Sequence, residues 1–397
     1  MTRKRVLLVT LPPFEGGVPA LTSLLAHFLV SRGYDVTVGY YATYGDEPDL
    51  VAPLWRIPVG GRPASRESMR FGDIKTVGIG CWCPELEIPY YTSSRLWDRL
   101  FERHDYHVVV GGNVLTGYRL IRRGLPHFIW CATPFLEERK DRQDRMSVWR
   151  RLADRLFMVP LLSLMERYVL ARSDLVLPIS NYTADRFRDM GRTGAMTVLT
   201  VPVDCGAFVP PPAPAPAGVV GFAGRLGDPR KNVSMLIAAI ALLKSEGVSV
   251  FLRLTGEPNT EIGAAIAGHG LDAIVEFTGV LEKRDLPAFY QSLDIFALPS
   301  HQEGLGIVGI EAMAAGVPVV STRNGGAEDY VIDGENGLLV GFSAEEMAAA
   351  LKRLIEDRSF RDHASRQARE TAVTRHSHKS WHDGIERAWR QVWGEPL

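Results

Sequence analysis

The sequence predicts an α/β protein with two doubly wound, Rossmann-like domains. Short apolar runs that fit buried strands alternate with amphipathic helical stretches, as in parallel sheets covered by helices on both faces. The alternation stops at the proline-rich run Pro210–Ala217 and then begins again. The 397 residues also exceed the ~250–300 at which a single hydrophobic core usually divides. Two domains are therefore favoured over one.

The first half of the chain contains the predicted strands of one sheet. A helix over Val18–Arg32 ends at Gly33, and a longer helix over Ser147–Arg172 is expected to bend or divide at Pro160. The proline-rich stretch Gly45–Leu96 has no readable period, so no element is predicted there. The predicted strands are Arg5–Thr10, Asp35–Tyr40, His107–Gly111, His127–Ala132 and Asp174–Ile179.

The second half repeats the strand and helix alternation after the linker. Proline lacks an amide donor and fixes φ, so residues 209–217 are expected to be an extended connector between domains at 1–208 and 218–378. Ligands of such paired domains bind in the cleft between them, at the carboxyl ends of the strands. The predicted elements are strands Gly218–Ala223, Val248–Thr255, Ile274–Thr278, Asp294–Pro299 and Val317–Ser321, and helix Asn232–Ser245.

Composition narrows the class of protein. A net charge of −1 gives no reason to expect nucleic acid as a partner, and 46% apolar residues are ordinary for a globular protein. The apolar run Val6–Leu11 is too short for a signal sequence or a membrane span. Four scattered cysteines do not form a disulfide framework. We therefore expect a reduced, cytoplasmic protein.

The densest functional signal is a strand-to-helix segment in the second half. Glycines at the start of the helix let backbone amides approach a ligand, and the helix N-terminus favours an anion such as phosphate. Glu303 and Glu311 flank that position, and a carboxylate can accept two hydrogen bonds from a vicinal diol. We therefore predict a phosphate site between two sugars. The segment reads Pro299, Ser300, His301, Gln302, Glu303, Gly304, Leu305 and Gly306, with a helix over Ile307–Ala315.

Two cations follow the first strand of the second half. Arg225 and Lys231 would lie at the carboxyl end of that strand, where they could neutralise a diphosphate leaving group. Arg230 competes for the same role. On spacing alone, three solvated surface charges are an equally good interpretation.

A glycine pair in the first half occupies the matching position. Gly16 and Gly17 follow the first strand and open a helix, as in a loop that approaches phosphate closely. The loop lacks the G-x-G-x-x-G spacing and the P-loop Lys-Ser/Thr, so it does not indicate a dinucleotide or P-loop site. No D-x-D, H-E-x-x-H or G-x-S-x-G motif is present, which argues against metal-assisted and acyl-transfer chemistry.

Two further segments allow a structural and a functional interpretation. Leu156–Leu164 is apolar and flanked by arginines, so it could dock on a membrane surface, but we favour an interdomain or core helix. His376, His378 and His382 could hold a metal, but we favour a solvated helix face.

Together these segments resemble the family-4 retaining glycosyltransferases of the GT-B fold, over essentially the whole chain. The most specific match is the E-x7-E signature, Glu303 to Glu311, within Pro-Ser-x-x-Glu-Gly-x-Gly-x-x-x-x-Glu-Ala-Met-Ala-Ala-Gly-x-Pro. The other matches, in chain order, are Gly16-Gly17, Ser180, Pro202-Val203-Asp204, Gly224-Arg225-Leu226 with Lys231, Thr278-Gly279-Val280, Gly325-Gly326, Asp333-Gly334 and Gly337-Leu338-Leu339-Val340.

The resemblance implies an architecture and a set of roles. Two domains would face each other across a cleft, with a C-terminal helix over 379–397 packing back on the N-terminal domain. Arg225 and Lys231 would bind the donor diphosphate, Glu303 the transferred sugar, and Glu311 the ribose. The backbone near Val280 would meet the base, and Gly16 and Gly17 would line the acceptor-side approach to the phosphates. The backbone amides implied to contact sugar and phosphate are those of Gly304, Leu305, Gly306, Ile307 and Val308.

The chain departs from this family in two places. Many relatives end the strand equivalent to His127–Ala132 with a histidine that touches the donor sugar, where this chain has Ala132 or Thr133. The usual Asn-Gly-Val-Asp before the linker reads Val201-Pro202-Val203-Asp204 here. The first departure removes a contact on which a sugar assignment would rest.

The resemblance implies a retaining enzyme that needs no metal or other cofactor and moves a sugar from a nucleotide-diphosphate sugar to a hydroxyl acceptor. A bacterial glycan, glycolipid or specialised metabolite would be a typical acceptor, with peripheral membrane contact as an open alternative. An epimerase or phosphorylase of the same fold, or a nucleotide-sugar-binding protein without turnover, are the rival hypotheses.

Overall fold

The computed structural model describes residues 3–12, 16–92, 95–143, 151–152, 154–213 and 217–397, with the backbone alone for 140–143. Three predicted features lie partly outside the described residues. They are the glycine-rich loop at 13–15, the start of the long helix at 147–150, and the linker at 214–216.

The chain forms two compact units, each built around its own sheet. The first unit comprises Met1–Leu199 with Gly384–Leu397, and the second comprises Thr200–Asp383. The sheets have seven and six strands, and strand pairs are parallel except for one pair at an edge of the first sheet. The prediction of two Rossmann-like, doubly wound halves is confirmed.

The first sheet has the strand order β3-β4-β2-β1-β5-β6-β7. Its strands are β1 Arg5–Thr10, β2 Asp35–Tyr41, β3 Ser65–Phe71, β4 Ile74–Ile79, β5 Tyr106–Gly111, β6 His127–Cys131 and β7 Leu175–Pro178. Its helices are α1 Gly17–Ser31, α2 Ile88–Thr92, α3 Arg95–Phe101, α4 Tyr118–Arg122, α5 Phe135–Gln143, α6 Val159–Arg172 and α7 Asn181–Asp189.

The second sheet has the strand order β10-β9-β8-β11-β12-β13. Its strands are β8 Val219–Phe222, β9 Phe251–Leu254, β10 Val275–Phe277, β11 Ile295–Leu298, β12 Val319–Thr322 and β13 Gly337–Val340. Its helices are α8 Val233–Ser245, α9 Thr260–Gly268, α10 Leu286–Gln291, α11 Ile307–Ala314, α12 Ala344–Glu356 and α13 Arg358–Arg375, and α14 spans His378–Trp393.

Burial explains why the central strands were readable from the sequence. In β11 and β12 every residue is buried, as expected for parallel strands covered on both faces. Strands β8 and β11 are neighbours, although β9 and β10 separate them in the chain. The connections after β8 and after β11 therefore begin at the same edge of the sheet, which is where ligands bind in doubly wound folds.

The end of α14 packs within the first unit. Trp389 is fully buried and lies 5.1 Å from the Tyr34 ring and 4.7 Å from the Tyr106 ring, measured between ring centroids. The Glu395 carboxylate accepts a hydrogen bond from Lys4 at 2.8 Å. An aromatic cluster thus fixes the last turns of the chain against the first sheet.

Three sequence interpretations are corrected. The unreadable Gly45–Leu96 stretch contains an antiparallel hairpin, β3 and β4, whose mostly exposed outer strand lacks an apolar pattern. Pro160 lies in the first turn of α6, where the missing amide costs nothing, and a π-helical turn over Asp154–Met158 precedes it. His376 is buried rather than solvated, and its ring contacts Thr200 Oγ1 at 3.1 Å.

The favoured core position of Leu156–Leu164 is also wrong for most of its apolar side chains. Leu156, Phe157 and Leu164 are exposed, while Leu162 between them is fully buried. Among the described helices, none is both long enough and apolar enough to cross a membrane.

Replacing Trp389 by alanine tests the packing of α14. Trp389→Ala leaves a large cavity among aromatic rings, so we expect the free energy of unfolding of the first unit to fall by about 3–5 kcal/mol. Chemical denaturation followed by circular dichroism measures it. The control is Arg390→Ala, because Arg390 is the exposed neighbour on the same helix. Equal stability of the two variants would contradict this account.

Candidate functional site

The strand-to-helix segment after β11 forms a bent loop that leads into α11. Gly306 adopts a left-handed conformation, with φ of 77°, immediately before the first residue of α11. The first amides of a helix have no acceptor within it, so those of Ile307 and Val308 are available to a ligand. Glycine supplies this conformation without strain, which accounts for the residue at the entry to the helix.

Glu303 is held in this loop by two donors that bind the same oxygen. Lys231 Nζ lies 2.7 Å from Glu303 Oε1, and Ser300 Oγ donates to that atom at 2.6 Å. Both charged side chains are mostly buried, with 18% of Lys231 and 11% of Glu303 exposed. No described residue donates a hydrogen bond to Oε2 of Glu303. This oxygen is therefore open to a ligand hydroxyl.

Arg225 and Arg230 differ in how firmly they are held. Arg230 donates to both oxygens of Asp228, at 3.2 and 2.9 Å, and this contact holds the pKa of the Asp228 carboxyl below its usual value. Arg225 reaches Asp228 through a single contact of 3.2 Å, and 79% of its side chain is exposed. Arg225 can therefore turn toward a ligand more readily than Arg230.

Glu311 points into the body of the second unit. Its Oε2 accepts a hydrogen bond from the buried Tyr290 hydroxyl at 2.8 Å. Burial raises the pKa of Glu311, while the Tyr290 hydrogen bond and the charge of Lys283 lower it in part. One carboxylate oxygen is therefore fixed by the protein, which leaves the other to accept hydrogen bonds from a ligand.

The loop after β12 braces the strand-to-helix segment. The Glu303 amide donates to the carbonyl of Asn324 at 3.0 Å, and the Tyr330 hydroxyl donates to the carbonyl of Gly306 at 2.9 Å. Gly326 packs so closely that an added Cβ would lie 2.7 Å from Leu305 Cα. These three contacts thus fix the backbone of residues 303–306.

Val280, which the family resemblance places near the base of the nucleotide sugar, is exposed to solvent. Val280 follows β10 and is 82% exposed. The preceding Gly279 accepts a hydrogen bond from the Gly256 amide at 2.7 Å, which ties the loop after β10 to the loop after β9.

The first unit carries the predicted glycine pair at the start of α1. Gly16 has a φ of 111° and precedes the helix, and neither Gly16 nor Gly17 has a neighbour within 4 Å of an added Cβ. At the end of β6, the Thr133 amide donates to the carbonyl of Gly112 at 2.8 Å, and its hydroxyl donates to Glu137 at 3.2 Å. Ala132 and Thr133, which the sequence predicts in place of the expected histidine, thus lie directly after β6.

Within the described parts of the chain, no three histidine, cysteine, aspartate or glutamate side chains come together in a way that could hold a metal ion. The His378 and His382 rings lie 6.1 Å apart, on the turns of α14 that begin the helix.

Comparison with known proteins decides the family. Residues 210–371 match the model described as glycosyl transferases group 1, and residues 16–203 match the model described as glycosyl transferase 4-like domain. The chain is also 32% identical over 393 residues to a GDP-mannose-dependent alpha-(1-6)-phosphatidylinositol monomannoside mannosyltransferase of Mycobacterium tuberculosis, covering 89% of this chain and 90% of that protein. This chain belongs to the group 1 glycosyl transferases.

Other relatives match part of their length or the fold alone. A D-inositol 3-phosphate glycosyltransferase of Arthrobacter sp. (strain FB24) is 34% identical over 154 residues, which are 37% of this chain and 36% of that protein. The chain thus spans about a third of that relative. Sucrose-phosphate synthase from Thermosynechococcus elongatus has the same fold, with a TM-score of 0.73 over 99% of this chain and 100% of that chain at 19% identity.

The second unit of this group 1 glycosyl transferase brings most of the predicted residues to one edge of its sheet. Lys231 and Glu303 are in direct contact, and Arg225 lies on the same loop as Lys231. Gly16 and Gly17 belong to the first unit. Sequence reasoning missed the supporting side chains Asp228, Tyr290, Asn324 and Tyr330. Two of them had a turn signal that could have indicated them: Asn324 precedes the Gly325-Gly326 pair, and Asp228 precedes Pro229.

Alanine at Gly326 tests whether close packing fixes the loop. Because φ is −75° at Gly326, Gly326→Ala meets steric contact with the Leu305 backbone rather than strain in its own backbone. We expect the free energy of unfolding to fall by about 1–3 kcal/mol in denaturant titration. Gly263→Ala is the control, since an added Cβ there has no neighbour within 4 Å. Unchanged stability of Gly326→Ala would refute the bracing contact.

Proposed function

We propose that this chain is a glycosyltransferase that moves a sugar from a nucleotide-diphosphate sugar to a hydroxyl acceptor, with retention of anomeric configuration and without a metal ion. The observation that carries the proposal is the Lys231–Glu303 contact beside the free amides of α11. It places a cation, a carboxylate and backbone donors around one point. A sugar joined to a diphosphate needs all three.

The diphosphate occupies the positive part of this site. Lys231 Nζ has three hydrogen-bond donors and uses one on Glu303, so two are left for phosphate oxygens. Arg225, exposed and held by one contact, supplies the second cation. The amides of Gly304, Leu305, Gly306, Ile307 and Val308 and the helix dipole add fixed partial charges, which stabilise the negative charge of the leaving group.

The two carboxylates of the segment hold the two sugars. The open Oε2 of Glu303 accepts a hydrogen bond from a hydroxyl of the transferred sugar. Glu311 binds the ribose through the oxygen that Tyr290 leaves free. The base lies against the backbone near the exposed Val280. Gly16 and Gly17 of the first unit are proposed to serve on the acceptor side.

The chemistry follows from the leaving group. The bond between the anomeric carbon and the diphosphate oxygen breaks, a bond from that carbon to the acceptor oxygen forms, and the acceptor proton passes to the departing phosphate. Arg225 and Lys231 offset the charge that develops on the diphosphate, so the reaction needs neither a divalent cation nor another cofactor.

The M. tuberculosis relative is named for GDP-mannose and a phosphatidylinositol mannoside. We extend the proposal to a hexose-type donor and to a bacterial glycan, glycolipid or specialised metabolite as acceptor. The enzyme would act in the cytoplasm, with peripheral contact to a membrane where its acceptor lies there.

Single substitutions test the residue roles. We expect Glu303→Ala, Arg225→Ala and Lys231→Ala each to lower turnover by at least about 100-fold, the scale of losing one transition-state stabiliser. Release of the nucleoside diphosphate and transfer of labelled sugar to an acceptor extract measure it. Arg358→Ala is a matched control, because Arg358 has the same 79% side-chain exposure as Arg225. Full activity of both cation variants would overturn the leaving-group assignment.

A thermal-shift screen tests the donor class. One of UDP-, GDP-, ADP- or TDP-sugars should raise the melting temperature, because a ligand at about 100 times its Kd stabilises the native state by ~2.7 kcal/mol. The shift should persist in EDTA and fall in Lys231→Ala. Donor epimerisation without acceptor, phosphate-dependent turnover, or donor binding without any transfer would replace the proposal with one of its rivals.

A further inference from the structure

The first unit exposes an unusual amount of large apolar side chain in three segments. Phe157 is 71% exposed and Trp55 is 61% exposed. Isolated exposed apolar residues are normal, but contiguous ones mark a contact surface. We define the docking surface by the exposed residues Leu54, Trp55, Ile57, Val59, Trp82, Leu86, Leu152, Leu156, Phe157, Leu161 and Leu164.

Hydrogen bonds and ion pairs join these three segments into one surface. The Leu54 amide donates to Glu85 Oε1 at 3.0 Å, next to Leu86. Glu87 Oε2 accepts from Arg139 Nη1 at 2.7 Å, and Arg139 Nε donates to Asp154 Oδ2 at 2.9 Å. Asp154 begins the π-helical turn that presents Leu156 and Phe157. A largely buried ion network therefore holds the docking surface together from below.

The inner face of α6, the helix that follows this turn, is already packed against other residues of the first unit. Leu162 and Met165 are buried in a cluster with Phe135. Phe157 lies on the π-helical turn before α6, and Leu161 and Leu164 are three residues apart on α6, which places them on one side of that helix. They lie on the outer side, as their exposure shows. A helix that needed only to pack on its own sheet would carry polar residues at these positions.

The exposed charges in and next to the three segments are mostly positive, with Glu85 and Asp49 as exposed carboxylates near them. Between 151 and 172, in the described residues, both acidic side chains, Asp154 and Glu166, are buried, and Arg155, Arg167 and Arg172 are exposed. In the segment 54–62 the charged residues are Arg56 and Arg62, and Arg56 lies 5.0 Å from the Trp55 ring. Glu85 is the exposed carboxylate within the segments, and the Leu54 amide binds it.

We infer that the docking surface binds an anionic lipid bilayer, inserting Trp55, Phe157 and Leu164 among the headgroups while the arginines contact lipid phosphates. Leucine and aromatic side chains beside arginine are the composition of interfacial segments, and tryptophan favours the boundary between water and hydrocarbon. The inference specifies the peripheral membrane contact of the proposed function. It rests on the first unit alone, whereas the donor residues Arg225, Lys231 and Glu303 belong to the second.

Vesicle flotation of the full chain tests the docking surface. We expect binding to vesicles of phosphatidylcholine mixed with phosphatidylglycerol, little binding to phosphatidylcholine alone, and loss of binding at high salt. Phe157→Ser with Leu164→Ser should weaken binding by at least about 10-fold, and Arg155→Ala with Arg167→Ala by about 5-fold for each arginine removed.

Matched controls and a second readout keep the outcomes distinct. Met69→Ser and Arg103→Ala remove an exposed apolar and an exposed basic residue of the same unit outside the docking surface, and should bind vesicles normally. Thermal shift with the nucleotide sugar should be the same in every variant as in the unsubstituted chain. Failure of the unsubstituted chain to bind any nucleotide sugar would count against the proposed function alone. Equal binding of all variants, or equal binding to neutral vesicles, would overturn the inference. The inference would also be overturned if the protein does not bind vesicles but self-associates, and Phe157→Ser abolishes that self-association.

Discussion

The contact between Lys231 and Glu303 is the constraint on which the candidate site depends. An ion pair with so little exposure loses hydration on both sides, and such a pair is retained only when further hydrogen bonds complete it. Ser300 supplies one to the carboxylate, and the Asn324 carbonyl fixes the backbone that carries it. A structure optimised only for stability could replace the pair with apolar residues. Its position beside the free amides of α11 is better explained by ligand binding.

The sheet topology is what brings the two residues together. Lys231 follows β8 and Glu303 follows β11, and these strands are hydrogen-bonded neighbours although two other strands separate them in sequence. The chain builds outward from β8 through β9 to β10, then returns to build β11, β12 and β13 on the other side. The loops after β8 and β11 therefore diverge and leave a crevice between them. In the first sheet β1 and β5 stand in the same relation, and Gly16 follows β1.

The sequence was sufficient for the features that depend on local pattern. Continuous apolar runs predicted β1, β5 and β11 because both faces of these strands are buried. The sequence was insufficient where packing against distant parts of the chain decides whether a side chain is buried. The edge strand β3 is too exposed to show a period, and an apolar helix pattern could not show that Phe157 and Leu164 are exposed. His376 looked like one of three surface histidines, yet burial lowers its pKa to about 4.

The same distinction applies to the two glutamates of the signature. Their spacing indicated a pair, but not that their surroundings differ. Glu303 has two donors on one oxygen and lies in a glycine-rich loop, whereas Glu311 is held by the buried Tyr290 hydroxyl, and burial raises its pKa. Because Lys231 retains two donors while bound to Glu303, a diphosphate can bind without breaking the ion pair. In the proposed function, the second unit would therefore present the Lys231 cation already oriented, and the exposed Arg225 would lose conformational freedom on binding.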